Sequence, residues 1–253
     1  MSVKNALPRQ GPLHFSIIAE TDEYAVVDKP PFLLVHPTKP NGPRTLWGEL
    51  RELLAFEVHT GGQISIINRL DRETSGLVLI AKTAATARRF GLLMQSNRIG
   101  KEYRAIVWGW PDWDRHVVDK PLDRLGKHQA SAVWLKQGVI PGGAAAKTEF
   151  RVERRFQHRN GGKFSVIRAI PHTGRTHQIR VHLADAGYPI VGDKIYGPNE
   201  RLYLEFIETG WTPRLEAELL LPRHALHSSR LSAEGEGEWE SPLPPDLAAF
   251  VAN

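Results

Sequence analysis

The stretch that most limits how this chain can fold is Leu-Val-Leu-Ile-Ala at 77–81. A short, continuous apolar run rich in branched side chains reads as a strand buried on both faces. A tight polar turn, Glu73-Thr-Ser-Gly76, feeds it, and just ahead stands Asp71 between Arg69 and Arg72. Nearby positive charge lowers a carboxylate pKa, so Asp71 is held ionised. An arbitrary Arg-x-Asp-Arg is more often a loop in surface ion pairs. Its position on a loop feeding a core strand makes Asp71 a candidate for chemistry.

The rest of the chain reads as α+β. Residues 15–19 and 24–28 read as strands around an Asp-Glu turn, and Pro30-Pro31 ends the second. Thr45 is placed to cap a helix to about residue 56, with Leu46, Leu50, Leu53 and Leu54 on one face. Residues 64–67 and 77–82 read as strands flanking the Asp71 loop; Thr83 opens a helix to about residue 96, and 103–108 is a strand. Residues 115–170 read as longer antiparallel strands, broken by Pro-Gly-Gly at 141–143. Residues 176–186 read as a short helix closed by Gly187 and Pro189. Residues 224–231 read as a last strand, and the Gly/Glu alternation at 234–240 as an exposed turn. Strands outnumber helices and run consecutively, as in an α+β domain.

Composition excludes several classes. The chain has no cysteine, hence no disulfide, thiolate metal site or Cys nucleophile. It has no apolar run of about 18 residues and no apolar centre near the N-terminus, so the expectation is a cytoplasmic protein with no membrane span or signal peptide. The net charge of +5 is unevenly spread: residues 151–180 carry eight Lys/Arg against one acid, and residues 201–253 carry four against nine. Such a basic stripe suits a polyphosphate partner, although alternating arginines on a solvated strand pair would give the same count.

Four ordered segments resemble the RluA family of RNA pseudouridine synthases. The usual signature of that family is H-R-L-D-x-x-T-S-G-L-L-hydrophobic-x-A-K; here Arg69, Leu70, Asp71, Thr74, Ser75, Gly76, Leu77, Ala81 and Lys82 match, and Asn68 stands in place of His. Tyr-Ala-Val-Val-Asp-Lys-Pro-Pro at 24–31 with Val-His-Pro at 35–37 is similar to its opening strand and loop. Lys-Glu-Tyr-Arg-Ala-Ile-Val-Trp-Gly at 101–109 is similar to its tyrosine motif. Thr-Gly-Arg-Thr-His-Gln-Ile-Arg-Val-His-Leu at 173–183, with Gly-Tyr-Pro-Ile-Val-Gly-Asp at 187–193, is similar to its third motif. Four matches in order are far more specific than one short motif.

The resemblance implies a mixed, mainly antiparallel central β-sheet with flanking helices and a central catalytic cleft. It divides the chain into a tail at 1–13 and a catalytic domain at 14–253, with no room for the extra S4-type RNA-binding domain of some relatives. It implies a monomeric isomerase whose partner is a ribosomal or transfer RNA stem-loop. The reaction cuts the bond from ribose to uracil, turns the base and rejoins it through carbon, so it needs no redox cofactor. Asp71 is then the catalytic residue, as nucleophile or proton acceptor. Tyr103 is the active-site tyrosine, able to stack on uracil or exchange a proton. Arg180 is the cation that pairs with Asp71. Arg69 fills the space a flipped uridine leaves. Apart from the resemblance, Lys29, Arg72, Arg155 and Arg175 are candidates for phosphate contacts.

Two rival readings compete with this. His172, His177 and His182 hint at a metal hydrolase, but five residues turn a helix by about 500°, so His177 and His182 would diverge by roughly 140°. The expectation is no metal. A catalytically silent RNA-binding protein of the same fold is the other rival, and the joint presence of Asp71, Tyr103 and Arg180 weighs against it.

Overall fold

The computed structural model describes residues 14–39, 42–159 and 161–252; the expected tail at 1–13 lies outside the described residues. The chain opens with β1 (Ser16–Glu20), β2 (Tyr24–Lys29), α1 (Leu46–Leu53), α2 (Ala55–His59), β3 (Ser65–Ile66), β4 (Ser75–Ala81), α3 (Ala84–Gln95) and β5 (Ile99–Trp108). It continues through β6 (Arg115–Asp119), β7 (Leu122–Arg124), β8 (Gln137–Val139), β9 (Lys147–Gln157) and β10 (Lys163–Pro171). Helices α4 (Gln178–Asp185), α5 (Arg201–Thr209) and α6 (Pro213–Leu219) precede β11 (Leu226–Ala233), β12 (Gly237–Glu240) and α7 (Pro245–Ala252). A 10-stranded sheet runs β1-β2-β4-β11-β5-β10-β9-β6, with β3 also on β4 and β12 on β11; β7 and β8 form a separate hairpin. Strands β4 and β11 pair in parallel, and the other sheet neighbours are antiparallel. The fold is thus the mixed, mainly antiparallel α+β sheet that the sequence implies.

The apolar run is the middle of the sheet. Every residue of β4 is buried. Successive side chains of a strand point to opposite faces, and here each face meets its own core. Val78 and Ile80 join Val27, Leu46 and Leu50 on one side. Leu77, Leu79 and Ala81 join Val26, Phe90, Leu93 and Trp239 on the other. Burying each large aliphatic chain contributes about 1.5–3 kcal/mol. Gly76 lets β4 approach β11: its φ is +112°, and a Cβ there would lie 2.3 Å from the Ser228 carbonyl oxygen. No other residue type fits that turn and that distance.

Helix starts follow their caps. The hydroxyls of Thr45 and Thr83 accept from the backbone N–H of Gly48 and Thr86. Several expected boundaries move. The first helix breaks at Leu54 into α1 and α2. The tyrosine strand begins at Ile99, and the last motif helix at Gln178 instead of residue 176. Part of the expected turn at 234–240 is strand β12, paired with β11. The short helices α5, α6 and α7 are additions to the sequence reading.

Candidate active site

Asp71 lies on the loop between β3 and β4, and that loop is tied down from several directions. Asn68, in the position usually held by His, is buried. Its amide donates to the Leu77 carbonyl (3.1 Å) and its Oδ1 accepts from Leu79 N–H (2.8 Å), so it clips the loop's start onto β4. Glu73 accepts from Lys194 Nζ (2.9 Å) and from His224 N–H (3.3 Å). Thr74 Oγ1 sits 2.7 Å from His224 Nε2. Arg223, fully buried, grips Asp246 of α7 at 2.7 and 3.0 Å and donates to the Glu73 carbonyl at 3.3 Å.

Arg180 of α4 joins two carboxylates. Its Nε and Nη2 donate to Asp193 Oδ2 (2.7 Å) and Oδ1 (2.9 Å), a bidentate pair, and its Nη1 donates to Asp71 Oδ2 (2.9 Å). Asp193 also accepts the N–H groups of Ile195 and Tyr196 at 3.0 Å each. Burial would raise Asp71, but Arg180, helped by His177 and His224, outweighs it and holds the carboxyl below its ordinary value. The same contest, again won by Arg180, drives Asp193 far down. The Asp71 side chain remains 30% exposed, whereas that of Asp193 is fully covered. Asp71 therefore presents an anion to a cleft of about 810 Å³, large enough for a nucleoside.

Tyr103 of β5 lines that cleft at 8% exposure. Burial, only partly offset by Ser228, pushes its phenol up to about 12. It is a neutral wall and hydrogen-bond donor at pH 7, not a base. Arg69, Arg72 and Arg175 are exposed and line the same cleft. Arg175 Nε donates to the Ala145 carbonyl at 3.0 Å, while no ion-pair partner holds Arg69 or Arg72 among the described residues.

Two expected phosphate contacts are corrected. Lys29 is fully buried beneath the Asp71 loop, and its Nζ donates to the carbonyls of Pro30 (2.8 Å), Leu33 (3.0 Å) and Arg72 (3.3 Å). It braces the loop and cannot reach a phosphate. Arg155 donates to the carbonyls of Pro111 and Trp113 and to Asp114, away from the cleft lining. Part of the basic stripe is also paired off on the folded sheet. Arg115, Arg151, Arg168 and Arg104 stand opposite one another across β6, β9, β10 and β5. Glu149 pairs with Arg115 and Arg151, and Glu153 with Arg104 and Arg168. Lys101 and Tyr103 line the cleft, so strand alternation turns Glu102 and Arg104 to the opposite face. That face is a ladder of ion pairs in which each glutamate is shared by two arginines.

His172 and His177 line the cleft, and His182 does not. His182 bonds Thr148 Oγ1 (2.9 Å) and the Lys120 carbonyl (3.0 Å), and His177 faces Asp71 from a distance. Among the described residues no group of three or more His, Cys, Asp or Glu is gathered to hold a metal ion.

This arrangement has relatives. Residues 23–185 match the family described as RNA pseudouridylate synthase. The chain belongs to that family. It is 34% identical over 241 residues to the ribosomal large subunit pseudouridine synthase D of Nitrosomonas europaea, covering 93% of this chain and 64% of that protein. It is 31% identical over 246 residues to the protein of the same name in Pseudomonas aeruginosa, covering 93% and 70%. The chain thus spans just under two thirds of the first relative's length. Among solved structures, human RNA pseudouridylate synthase domain containing 4 superposes with a TM-score of 0.71 at 22% identity, over 94% of this chain and 92% of that one, a likeness of fold.

Sequence reading assigned no role to Asp193, Lys101 or His177. Asp193 lay inside a matched segment, but only the fold brings it to Arg180. Lys101 was findable, two residues before Tyr103 on one strand and so on the same face. His177 reads from sequence only as a candidate metal ligand.

Proposed function

We propose that this protein converts uridine to pseudouridine in RNA, with ribosomal large-subunit RNA as its substrate and Asp71 as its catalytic residue. One observation carries the reading. Asp71 is a fixed anion, locked from behind by Arg180 and open in front to a cleft of nucleoside size. Membership of the family supports the reaction, and two relatives named ribosomal large subunit pseudouridine synthase D support the RNA.

The chemistry needs a base removed from its stack, a carboxylate at the sugar–base junction and no water in between. Asp71 serves as nucleophile or proton acceptor. Tyr103, kept protonated by burial, forms the wall against which the uracil turns. Arg69, exposed at the cleft, enters the gap in the RNA stack. Arg72, Arg175 and Lys101 ring the cleft with positive charge for the neighbouring phosphates.

The test is pseudouridine mapping on large-subunit RNA incubated with the protein, with transfer RNA transcripts in parallel. Asp71→Asn keeps the volume and removes the charge. It is expected to abolish the product while leaving RNA affinity within about tenfold, since phosphate contacts carry most of the affinity. A fully active Asp71→Asn protein defeats the proposal. Product on transfer RNA alone replaces the substrate and spares the reaction.

A further inference from the structure

His177 occupies a position that backbone preference alone would give to another residue. Its φ is +57° and ψ +16°, the left-handed region that a Cβ makes costly and that Asn or Gly fills more readily. Strain of this kind persists where the surroundings fix it, and at His177 they do. Its Nδ1 lies 2.8 Å from the Tyr196 hydroxyl. That hydroxyl accepts the Gln137 N–H at 2.9 Å. A phenol has one proton, and among the described residues His177 Nδ1 is the acceptor within its reach. The Tyr196 O–H therefore donates to Nδ1, and the single proton of a neutral imidazole is left on Nε2.

Nε2 points into the cleft and lies 3.9 Å from Asp71 Oδ2, too far for a hydrogen bond. That oxygen is already engaged by Arg180. Among the described residues the Nε2–H is thus an unspent donor beside the reacting carboxylate. Burial, reinforced by the Arg180 charge, brings the ring down to about 4 against the opposing pull of Asp71 and Asp193, so the imidazole is neutral at pH 7.

We propose that His177 is a further catalytic residue, which donates its Nε2–H to a carbonyl oxygen of the uracil presented to Asp71. This rests on the pseudouridine-forming reading. When the bond between ribose C1′ and uracil N1 breaks, its electron pair leaves with the base and spreads onto the ring carbonyls. A fixed donor at one of those oxygens stabilises the detached base and restrains it until C5 bonds to C1′; C5 then gives up its proton and N1 takes one up, so the net change is an isomerisation. His177 itself forms no covalent bond and transfers no proton. A neutral donor suits the task, because an imidazolium would add a second cation to the one Arg180 already supplies and weaken Asp71 as nucleophile or base. The Tyr196–Gln137 relay is the device that keeps the donor aimed.

Two substitutions separate this role from a structural one, because they rank oppositely. Asn relieves the left-handed strain but is too short to reach the uracil, whereas Gln keeps the strain and carries an amide N–H to about the Nε2 position. His177→Asn is expected to lose on the order of 100-fold in single-turnover rate, with RNA affinity little changed. His177→Gln is expected to keep the rate within about tenfold of the unaltered protein. Equal rates for Asn and Gln, or a faster Asn variant, overturn the proposal.

Nitrogen-15 NMR of the imidazoles in substrate-free protein supplies a second readout. It is expected to find His177 neutral with its proton on Nε2, and to find that tautomer lost in Tyr196→Phe. A proton on Nδ1 overturns the proposal whatever the activity. Pseudouridine made by the unaltered protein and not by Asp71→Asn measures the underlying reading separately.

Discussion

Removing Arg180 should damage stability and chemistry through two different carboxylates, and the two losses can be measured apart. In Arg180→Ala, Asp193 keeps the N–H groups of Ile195 and Tyr196 but loses a bidentate cation while fully covered. Truncating one partner of a buried pair costs about 3–5 kcal/mol, because the other charge stays buried and uncompensated. For a chain of this size that is a fall in Tm of roughly 6–20 °C, at about 2–4 °C per kcal/mol. Asp71, still partly open to the cleft, loses less stability but loses the charge that held its pKa down. With Arg180 gone, burial acts unopposed by that cation, so the acid limb of the rate profile should move to higher pH. In the unaltered protein the Arg180 charge holds Asp71 below its ordinary value, so its limb lies on the acid side of an ordinary aspartate. Linkage has the matching sign: the pairing of Arg180 with Asp71 and Asp193 stabilises the fold above the unfolded carboxylate pKa and is lost as pH falls through the lower folded values.

The double variant Arg180→Ala/Asp193→Asn separates the effects. The amide oxygen introduced at position 193 can still accept both backbone N–H groups, and no stranded charge remains, so much of the Tm should return. The rate should not, because Asp71 is still unpaired. Arg180→Lys should recover only part of either, since a point charge cannot reproduce three guanidinium bonds. The assays are thermal unfolding and single-turnover pseudouridine formation from pH 4 to 8. A loss below about 1 kcal/mol in Arg180→Ala, the range typical of an exposed pair, would refute the buried-pair reasoning. Recovery of rate along with Tm in the double variant would refute the division of labour between Asp71 and Asp193.

How much of this was readable from sequence depends on whether partners are near in the chain. The Asp71 loop was readable because chemistry and strand lie in one contiguous motif, and β4 because two-sided burial writes itself as an unbroken apolar run. The basic stripe misled because a residue count cannot see across strands. Arg151 and Arg104 both stand opposite Arg168, a repulsive row on its own, and Glu149 and Glu153 are set among them to pair it off. Lys29 misled for a related reason: nothing local says that its amine folds under the loop instead of into solvent. Helices α5, α6 and α7 span about two turns each, too short for a 3.6-residue period to stand out. The late start of α4 comes from Gln178, whose Oε1 accepts from Thr173 Oγ1 and Arg175 N–H and holds the preceding loop off the helix axis.

Three further outcomes are expected. Arg69→Ala should slow turnover on a structured stem-loop, where unstacking costs a few kcal/mol, far more than on a short unstructured RNA with the same uridine; equal losses on both return Arg69 to phosphate contact or packing. Arg72→Ala and Arg175→Ala should each reduce the log–log salt slope of RNA binding by about 0.7, while Arg155→Ala should leave the slope alone and lower Tm; a slope change for Arg155 would contradict its engagement by Pro111, Trp113 and Asp114. Lys29→Met should destabilise by a few kcal/mol, since the Leu33 and Arg72 carbonyls lose their donor. It should also change how stability depends on pH. Burial, with Arg223 adding to it, lowers Lys29 to about 7 against the opposing influence of Asp71 and Asp28. The unfolded chain keeps that proton to about pH 10.4. Between those values the unfolded state binds more protons, so Lys29 makes stability rise with pH, and replacing it with Met should remove that rise. Urea midpoints from pH 7 to 9.5 decide it: parallel curves for the two proteins would mean that the amine is not desolvated, and the loop would then need another brace.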